Sequence, residues 1–280
     1  MTHSRRTFIR IVPALGAFAI PVSAFEQQGQ GGGSAEPTWP APPPDKGRPV
    51  DDSFPSQHPA LVKEMVGVSH FNLNRVRELV QQHPDLAKAA WDWGYGDWET
   101  ALGAASHVGN RPIAELLLEH GAPPTIFSAV MLGQLDVVKT FITASPGLQR
   151  LRGPHGLTMM LHARLGKEPA SAVLKYLESL GDADLPYRDD PIPADERASL
   201  EGRYTFGDRP RDSFVVRIDK NQLMIVRAGA TERTLFHQGD FSFHAAGAPG
   251  VKIRFEREAA KTTALTVWDP DLVVRARRSA

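Results

Sequence analysis

The amino-acid sequence predicts a multidomain α plus β protein, in which a short helical solenoid is followed by a small antiparallel β-barrel. Apolar residues recur with helical spacing in the middle of the chain and at every second position in its C-terminal part. The helical part is self-similar, which is typical of stacked helical repeats. Pro-rich segments at 25–57 and 182–196 bound it, so we expect folded parts at 58–181 and 197–280.

The first 24 residues have the features of an export signal. Residues 4–10 read Ser-Arg-Arg-Thr-Phe-Ile-Arg and precede an uncharged apolar segment that ends in Val-Ser-Ala at Ala24. This pattern resembles the twin-arginine signal family, with Arg10 where that family has Lys. The apolar segment contains two prolines and is shorter than the roughly 20 residues that span a bilayer. The resemblance implies that Arg5 and Arg6 direct export of the folded chain to the periplasm, with cleavage after Ala24 and no stable membrane insertion.

The segment 25–57 has a composition that is unsuited to a core. It combines clustered Gly and Pro with few bulky aliphatic residues, so burial cannot offset the entropy lost on ordering. We therefore expect a disordered linker here, and a second, shorter linker at 182–196, where three prolines lie among acidic residues.

The segment 58–181 contains about four copies of a helical repeat. A stripe of apolar residues at positions i, i+3 and i+4 begins at Val76, Ile113, Val138 and Val173. Because a unit of this kind buries its apolar face only against its neighbours, we expect the copies to stack.

One of these copies carries a family resemblance. Residues 99–122 read Glu-Thr-Ala-Leu-Gly-Ala-Ala-Ser-His-Val-Gly-Asn-Arg-Pro-Ile-Ala-Glu-Leu-Leu-Leu-Glu-His-Gly-Ala and resemble an ankyrin repeat. The Ala-Ala pair, the Gly between the helices and the closing Leu-Leu-Leu-x-x-Gly-Ala are present, whereas the family's Thr-Pro-Leu-His is Thr-Ala-Leu-Gly. The resemblance implies an ankyrin-like solenoid over 58–181 that binds a protein or peptide partner on its concave surface.

The loop at 91–99 is the most distinctive candidate binding segment. It holds three of the five tryptophans together with glycines and acids, and aromatic side chains with a polar handle are favoured binding anchors. Asp97 and Glu99 suit a cationic group, or else hydrogen-bond the turn. Trp91 and Trp98 also suit a wedge between two repeats, in which case the loop belongs to the core.

A shortened next loop at 121–124 is expected to leave a notch beside this segment. The loop at 150–156, which contains Arg152 and His155, would form the far wall of the notch. The candidate binding residues are Trp91, Trp93, Tyr95, Asp97, Trp98, Glu99, His107, Arg152 and His155.

Several kinds of chemistry lack a signal in the sequence. The chain has no cysteine, which excludes disulfides and thiolate sites. His107, His155 and His162 lack a second ligand at the short spacings of metal sites, and no nucleophile or phosphate-loop motif occurs. We therefore expect no metal, no cofactor and no catalytic residue. The 32 basic and 32 acidic side chains balance, which gives no electrostatic reason for a nucleic-acid partner.

Residues 197–280 alternate apolar and polar side chains, as Val251, Ile253 and Phe255 illustrate. Strands are expected near 201–206, 213–219, 221–227, 231–237, 240–245, 250–257, 261–268 and 271–277. Closing short antiparallel strands into a barrel removes their exposed edges, so the sequence predicts a barrel.

The aromatic residues Tyr204, Phe241, Phe243 and Phe255 are placed as in a known module. They resemble the small lipocalin-like barrel that follows the catalytic domain of penicillin-recognising serine hydrolases and related exported enzymes. In that family the chemistry resides in the partner domain, whose Ser-x-x-Lys motif is absent here. The resemblance therefore implies an accessory module, and a barrel this small is usually filled by side chains.

Together these features predict an exported, non-enzymatic interaction protein that binds a protein or peptide partner through the concave surface of its ankyrin-like part. The alternative is a hydrolase or binding protein for a small cell-wall-related ligand. That ligand would occupy the notch near Trp93, Asp97 and His155.

Overall fold

Short helices in consecutive pairs form the first half of the described chain. A computed structural model describes residues 52–227, 229–269 and 272–279. The predicted export signal at 1–24 and most of the predicted linker at 25–57 lie outside the described residues.

Each helix pair consists of two helices joined by a short connection. The bounds are α1 (Pro59–Val68) and α2 (Leu73–Gln82), α3 (Ala101–His107) and α4 (Arg111–Glu119), α5 (Ile126–Leu132) and α6 (Leu135–Ala144), and α7 (Met159–Leu165) and α8 (Ser171–Leu180). The first helices of successive pairs contact one another, α1 with α3, α3 with α5 and α5 with α7.

Sequence-local signals explain where these helices begin and which face they bury. Asn72, Thr100 and Thr158 each accept a hydrogen bond from the backbone N–H three residues later, which satisfies a donor that the helix leaves free. Ala104 and Ala105 are fully buried, so small side chains let α3 pack closely against its neighbours. The four positions at which the apolar stripe begins are buried in α2, α4, α6 and α8, as the periodicity predicts.

Two short strands, β1 (Ala90–Asp92) and β2 (Trp98–Thr100), form a hairpin between the first and second helix pairs. They pair antiparallel, with Trp91 opposite Glu99. We refer to residues 90–100 as the tryptophan hairpin.

The C-terminal part of the chain is a closed barrel of eight antiparallel strands, which confirms the predicted β-barrel. The helix α9 (Ala194–Ser199) leads into it. The strands are β3 (Gly202–Thr205), β4 (Ser213–Asp219), β5 (Gln222–Arg227), β6 (Arg233–His237), β7 (Ser242–Ala245), β8 (Ala248–Glu258), β9 (Lys261–Asp269) and β10 (Leu272–Arg278). Strand β10 pairs with β3 to close the ring.

The barrel core follows the alternation of the sequence. Val251, Ile253 and Phe255 of β8 are buried, whereas the residues between them are exposed. Edge-to-face contact between the Phe243 and Phe255 rings, with centroids 5.4 Å apart, fills part of the interior. No helix among the described residues is both long and apolar enough to span a bilayer.

Candidate functional site

The tip of the tryptophan hairpin has a backbone that few sequences can adopt. Gly94, Tyr95 and Gly96 all have positive φ angles, of 105°, 61° and 72°. Glycine takes such angles readily, whereas Tyr95 does so at a cost, and left-handed non-glycine residues are concentrated at functional sites. His155, which faces this hairpin, has a φ of 59° as well.

Asp97 links the hairpin to the barrel through a buried ion pair. Its Oδ2 accepts a hydrogen bond from Arg233 Nη1 at 2.8 Å, and only 3% of the Asp97 side chain and 5% of the Arg233 side chain are exposed. His155 donates to the same carboxylate from its backbone N, at 2.8 Å, and its Nδ1 lies 2.9 Å from Oδ2. Burial by itself raises the pKa of Asp97, but these contacts with His155 and Arg233 outweigh it and lower that pKa.

A glycine in the barrel makes this close approach possible. Gly247, between β7 and β8, has a φ of 77°. A Cβ atom there would lie 2.9 Å from Arg233 Nη1 and 3.0 Å from Asp97 Oδ2. Because a side chain has no room at this position, the turn can reach the ion pair only as glycine.

Glu99 is fully buried at the base of the hairpin, among three histidines. Its Oε1 lies 2.9 Å from His107 Nδ1 and 3.3 Å from His155 Nε2, and its Oε2 lies 3.6 Å from His70 Nε2. We call these four residues the carboxylate–histidine cluster. Each offers one metal-ligand atom, and those atoms lie within 4.8 Å of one another. Imidazole and carboxylate groups are common metal ligands, so the residue types of the cluster are those of a metal site.

The ionisation of the cluster is shifted by its surroundings. Burial opposes the charge of Glu99, yet the contacts with His107 and His155 lower its pKa to about 2. Burial likewise opposes the charge of His155, and the carboxylates of Asp97 and Glu99 raise its pKa to about 9. The two carboxylates are therefore negative at neutral pH.

A cavity of about 510 Å³ lies between the hairpin and the barrel. Trp93 and Tyr95 of the hairpin form one side of it. Its apolar barrel residues are Phe206, Phe214, Ile225, Val267 and Val274. Polar groups at its wall include Arg227, Arg233 and Asp269, so the cavity combines an aromatic lining with a few charged groups. We call it the hairpin cavity.

Five of the nine candidate residues from the sequence come together here. They are Trp93, Asp97, Glu99, His107 and His155, with Trp93 Nε1 donating to Glu99 Oε2 at 2.7 Å. A sixth, Tyr95, lines the adjoining hairpin cavity.

The other three candidate residues lie elsewhere. Trp91 packs against the core of the first helices, with Lys63 Nζ 5.6 Å from its ring centroid. Trp98 is 63% exposed. The Arg152 guanidinium stacks 3.9 Å from the Tyr187 ring centroid and donates to the carbonyl of Gly156.

The sequence analysis missed several residues of the site, among them His70, Arg227 and Arg233. No local spacing connects His70 to the other cluster members, because each lies on a different segment of the chain. Arg233 did leave a signal, since strict alternation along β6 places it on the same buried face as Leu235 and His237. An arginine at such a position indicates a buried ion pair.

Comparisons with known proteins add little. No family model matches the chain, and no curated protein matches it. Two solved structures, "Crystal structure of SurE" and "Crystal structure of SurE with D-Leu", are each 24% identical over 41% of this chain and 27% of theirs. The chain thus spans about a quarter of the length of those proteins. Their TM-scores of 0.25 are too low to support a conclusion about fold or function.

Proposed function

We propose that this protein is an exported binding protein for a small molecule with an apolar body and a single carboxylate, held in the hairpin cavity. The observation that supports this proposal most directly is the cavity itself. It has the volume of a small-ligand site, and aromatic and aliphatic side chains form most of its wall.

The polar groups of the cavity define the ligand's charge. Arg227 Nε donates to the carbonyl of Arg211. Among the described residues, the polar partner of its terminal nitrogens is Asp212, in an ion pair at 3.8 Å. Arg233 is taken up by Asp97 and backbone carbonyls. Arg209, the third arginine at the wall, is paired with Asp212 through two hydrogen bonds from its guanidinium. Arg227 is therefore the guanidinium available to a ligand carboxylate. Asp269 on the same wall disfavours a second negative charge.

Isothermal titration of the full chain with decanoate, decanol and decyltrimethylammonium tests this proposal. We expect decanoate to bind most tightly, because it alone places a carboxylate beside Arg227. Arg227→Gln should weaken decanoate binding roughly 10- to 100-fold, the range for a hydrogen bond to a charged group, and leave decanol unchanged. Arg217→Gln is the matched control, since Arg217 pairs with Glu232 and does not line the cavity.

A variant that narrows the cavity provides a second measurement. Ala230 is an exposed residue at the wall of the cavity, so Ala230→Trp can be expected to fold. It should weaken decanoate and decanol alike. Equal affinity of wild type and both variants for decanoate would overturn the proposal.

Export by the twin-arginine route is part of the same proposal and rests on the sequence pattern at Arg5 and Arg6. Replacing both with Lys should leave the precursor in the cytoplasm, as fractionation and immunoblotting would reveal. Export of that double variant at the wild-type level would contradict the assignment.

Binding of a protein or peptide partner to an ankyrin-like stack of the helix pairs is a second proposal, favoured by the exposure of Trp98. A tryptophan that is 63% exposed has most of its apolar surface free for a partner. Affinity purification from periplasmic extract should recover a partner with the wild-type chain and lose it with Trp98→Ala. The same partner on both chains would argue against this surface.

A further inference from the structure

The carboxylate–histidine cluster lies behind the tryptophan hairpin, and binding in the hairpin cavity leaves it without a role. We propose that His70, Glu99, His107 and His155 form a binding site for one divalent transition-metal ion, in the first place Zn²⁺. This inference is independent of the ligand proposed above.

The contacts within the cluster lack hydrogen-bond geometry. Glu99 Oε1 and His107 Nδ1 are 2.9 Å apart and buried, yet neither atom has a hydrogen-bond partner among the described residues. Buried polar atoms are nearly always paired, so two unpaired ones that face each other call for an explanation. A metal ion between them supplies it, because both atoms then point to a common centre.

The spacing of the atoms fits such a centre. Zinc–nitrogen and zinc–oxygen bonds of about 2.0–2.1 Å in a tetrahedral site place ligand atoms roughly 3.3 Å apart. The distances from Glu99 Oε1 to His107 Nδ1 and His155 Nε2 are 2.9 and 3.3 Å, close to this value. His70 Nε2 lies 3.6 Å from the other oxygen, Oε2, and the four ligand atoms lie within 4.8 Å of one another, so metal binding requires a small inward shift of the more distant ligands.

Three of the four ligands are held by outer partners of the kind that metal sites use. His155 Nδ1 lies 2.9 Å from Asp97 Oδ2, and His70 Nδ1 lies 2.9 Å from the carbonyl of Gly67. Each contact places a proton on Nδ1, so Nε2, which is directed into the cluster, is the nitrogen that a metal ion would bind in place of a proton. Trp93 Nε1 holds Glu99 Oε2 at 2.7 Å.

The charge of the cluster supports a cation as well. Arg233 compensates Asp97, but the fully buried Glu99 has no arginine or lysine partner among the described residues. An isolated buried carboxylate is costly, so a positive charge is required beside it. Either a metal ion or a protonated histidine provides that charge. Metal titration distinguishes these two possibilities.

The ligand types indicate which metal ion the site would bind, and the exposure of two ligands indicates how the ion would enter. Three imidazole nitrogens and one carboxylate suit zinc and its neighbours, whereas Mg²⁺ and Ca²⁺ favour oxygen ligands. His70 and His155 are 24% and 30% exposed, so the site is open to solvent on one side. An ion can enter there, and an exchangeable ligand can complete its coordination.

Zinc titration of the full chain, after treatment with chelator and desalting, tests this inference. Calorimetry should give one Zn²⁺ per chain, and Co²⁺ should give the visible absorption of a tetrahedral site. Glu99→Gln and His107→Gln should weaken zinc binding at least 100-fold. Asp97→Asn should weaken it roughly 10- to 100-fold, since it removes only an outer partner.

Two controls separate loss of the site from loss of the fold. His120→Gln removes an exposed histidine outside the cluster and should bind zinc like the wild type. His70→Gln changes the half-buried ligand, whose removal should leave the circular dichroism spectrum intact while weakening zinc binding. Absence of zinc, cobalt and nickel binding to the wild type, or unchanged affinity in both His70→Gln and His107→Gln, would overturn the inference. We expect zinc-free protein to bind decanoate whether or not the cluster binds zinc, so failure of one proposal does not imply failure of the other.

Discussion

The ion pair between Asp97 and Arg233 joins residues 136 positions apart, and its removal gives the sharpest stability prediction. Arg233→Met keeps an unbranched apolar stem and deletes the charge and the hydrogen-bond donors of the guanidinium. Asp97 then stays buried with His155 as its remaining side-chain partner, and the carbonyls of Trp93 and Gly94 each lose one hydrogen bond. Breaking one side of a buried pair costs about 3–5 kcal/mol in free energy of unfolding.

Denaturant unfolding followed by far-UV circular dichroism measures this loss. For a unit of this size it corresponds to a drop in Tm of about 10 °C. The control is Arg217→Met, which breaks the exposed pair with Glu232 and should cost about 0–1 kcal/mol. The double variant Asp97→Leu with Arg233→Met should recover part of the loss, because it leaves no uncompensated charge. A cost below about 1 kcal/mol for Arg233→Met would refute the reasoning.

Two other predictions concern single residues. Gly247→Ala should lower Tm by several degrees because its positive φ and close contacts exclude a Cβ, whereas Gly250→Ala, with no atom within 4 Å of its Cβ position, should not. Burial lowers the pKa of His162 from 6.5 to about 4, so its unfolded form takes up a proton first as the pH falls. Its contribution is therefore complete above pH 6.5 and lost on acidification toward pH 4, about 3 kcal/mol in all. His162→Gln should flatten the stability curve in that window, whereas an unchanged slope in urea titrations at several pH values would contradict the burial argument.

The spacing of apolar residues predicted the positions of the helices and strands, because apolar residues recur wherever one face of an element is buried. The predicted strand at 213–219 coincides with β4, and the predicted strand at 250–257 lies within β8. Phe214 and Val216 in the first segment, and Val251, Ile253 and Phe255 in the second, are buried in the core, so burial of every second residue is a sufficient signal. The stripe positions Val76 and Ile113 were located in the same way.

The candidate site was recovered only in part, because its geometry depends on contacts that are distant in sequence. The combination of tryptophans, glycines and acids in the hairpin identified Trp93 and Asp97 as candidate binding residues. The expected absence of a metal site rested on local ligand spacing, and local spacing does not describe a cluster whose members come from four separate segments. Arg233 completes the site from the barrel, and the sequence pattern contains no information on which face of the barrel meets the hairpin.

The position of His155 opposite Asp97 has a consequence for how this protein can evolve. Stacked helix pairs usually tolerate gain or loss of a pair, because each contacts only its neighbours. Here Asp97 precedes α3 and His155 follows α6, so two helix pairs lie between the residues that meet. Duplicating or deleting one of those pairs would carry His155 away from Asp97 by the thickness of a pair. The number of pairs between them is therefore fixed by the site, and length variation is expected outside 97–155.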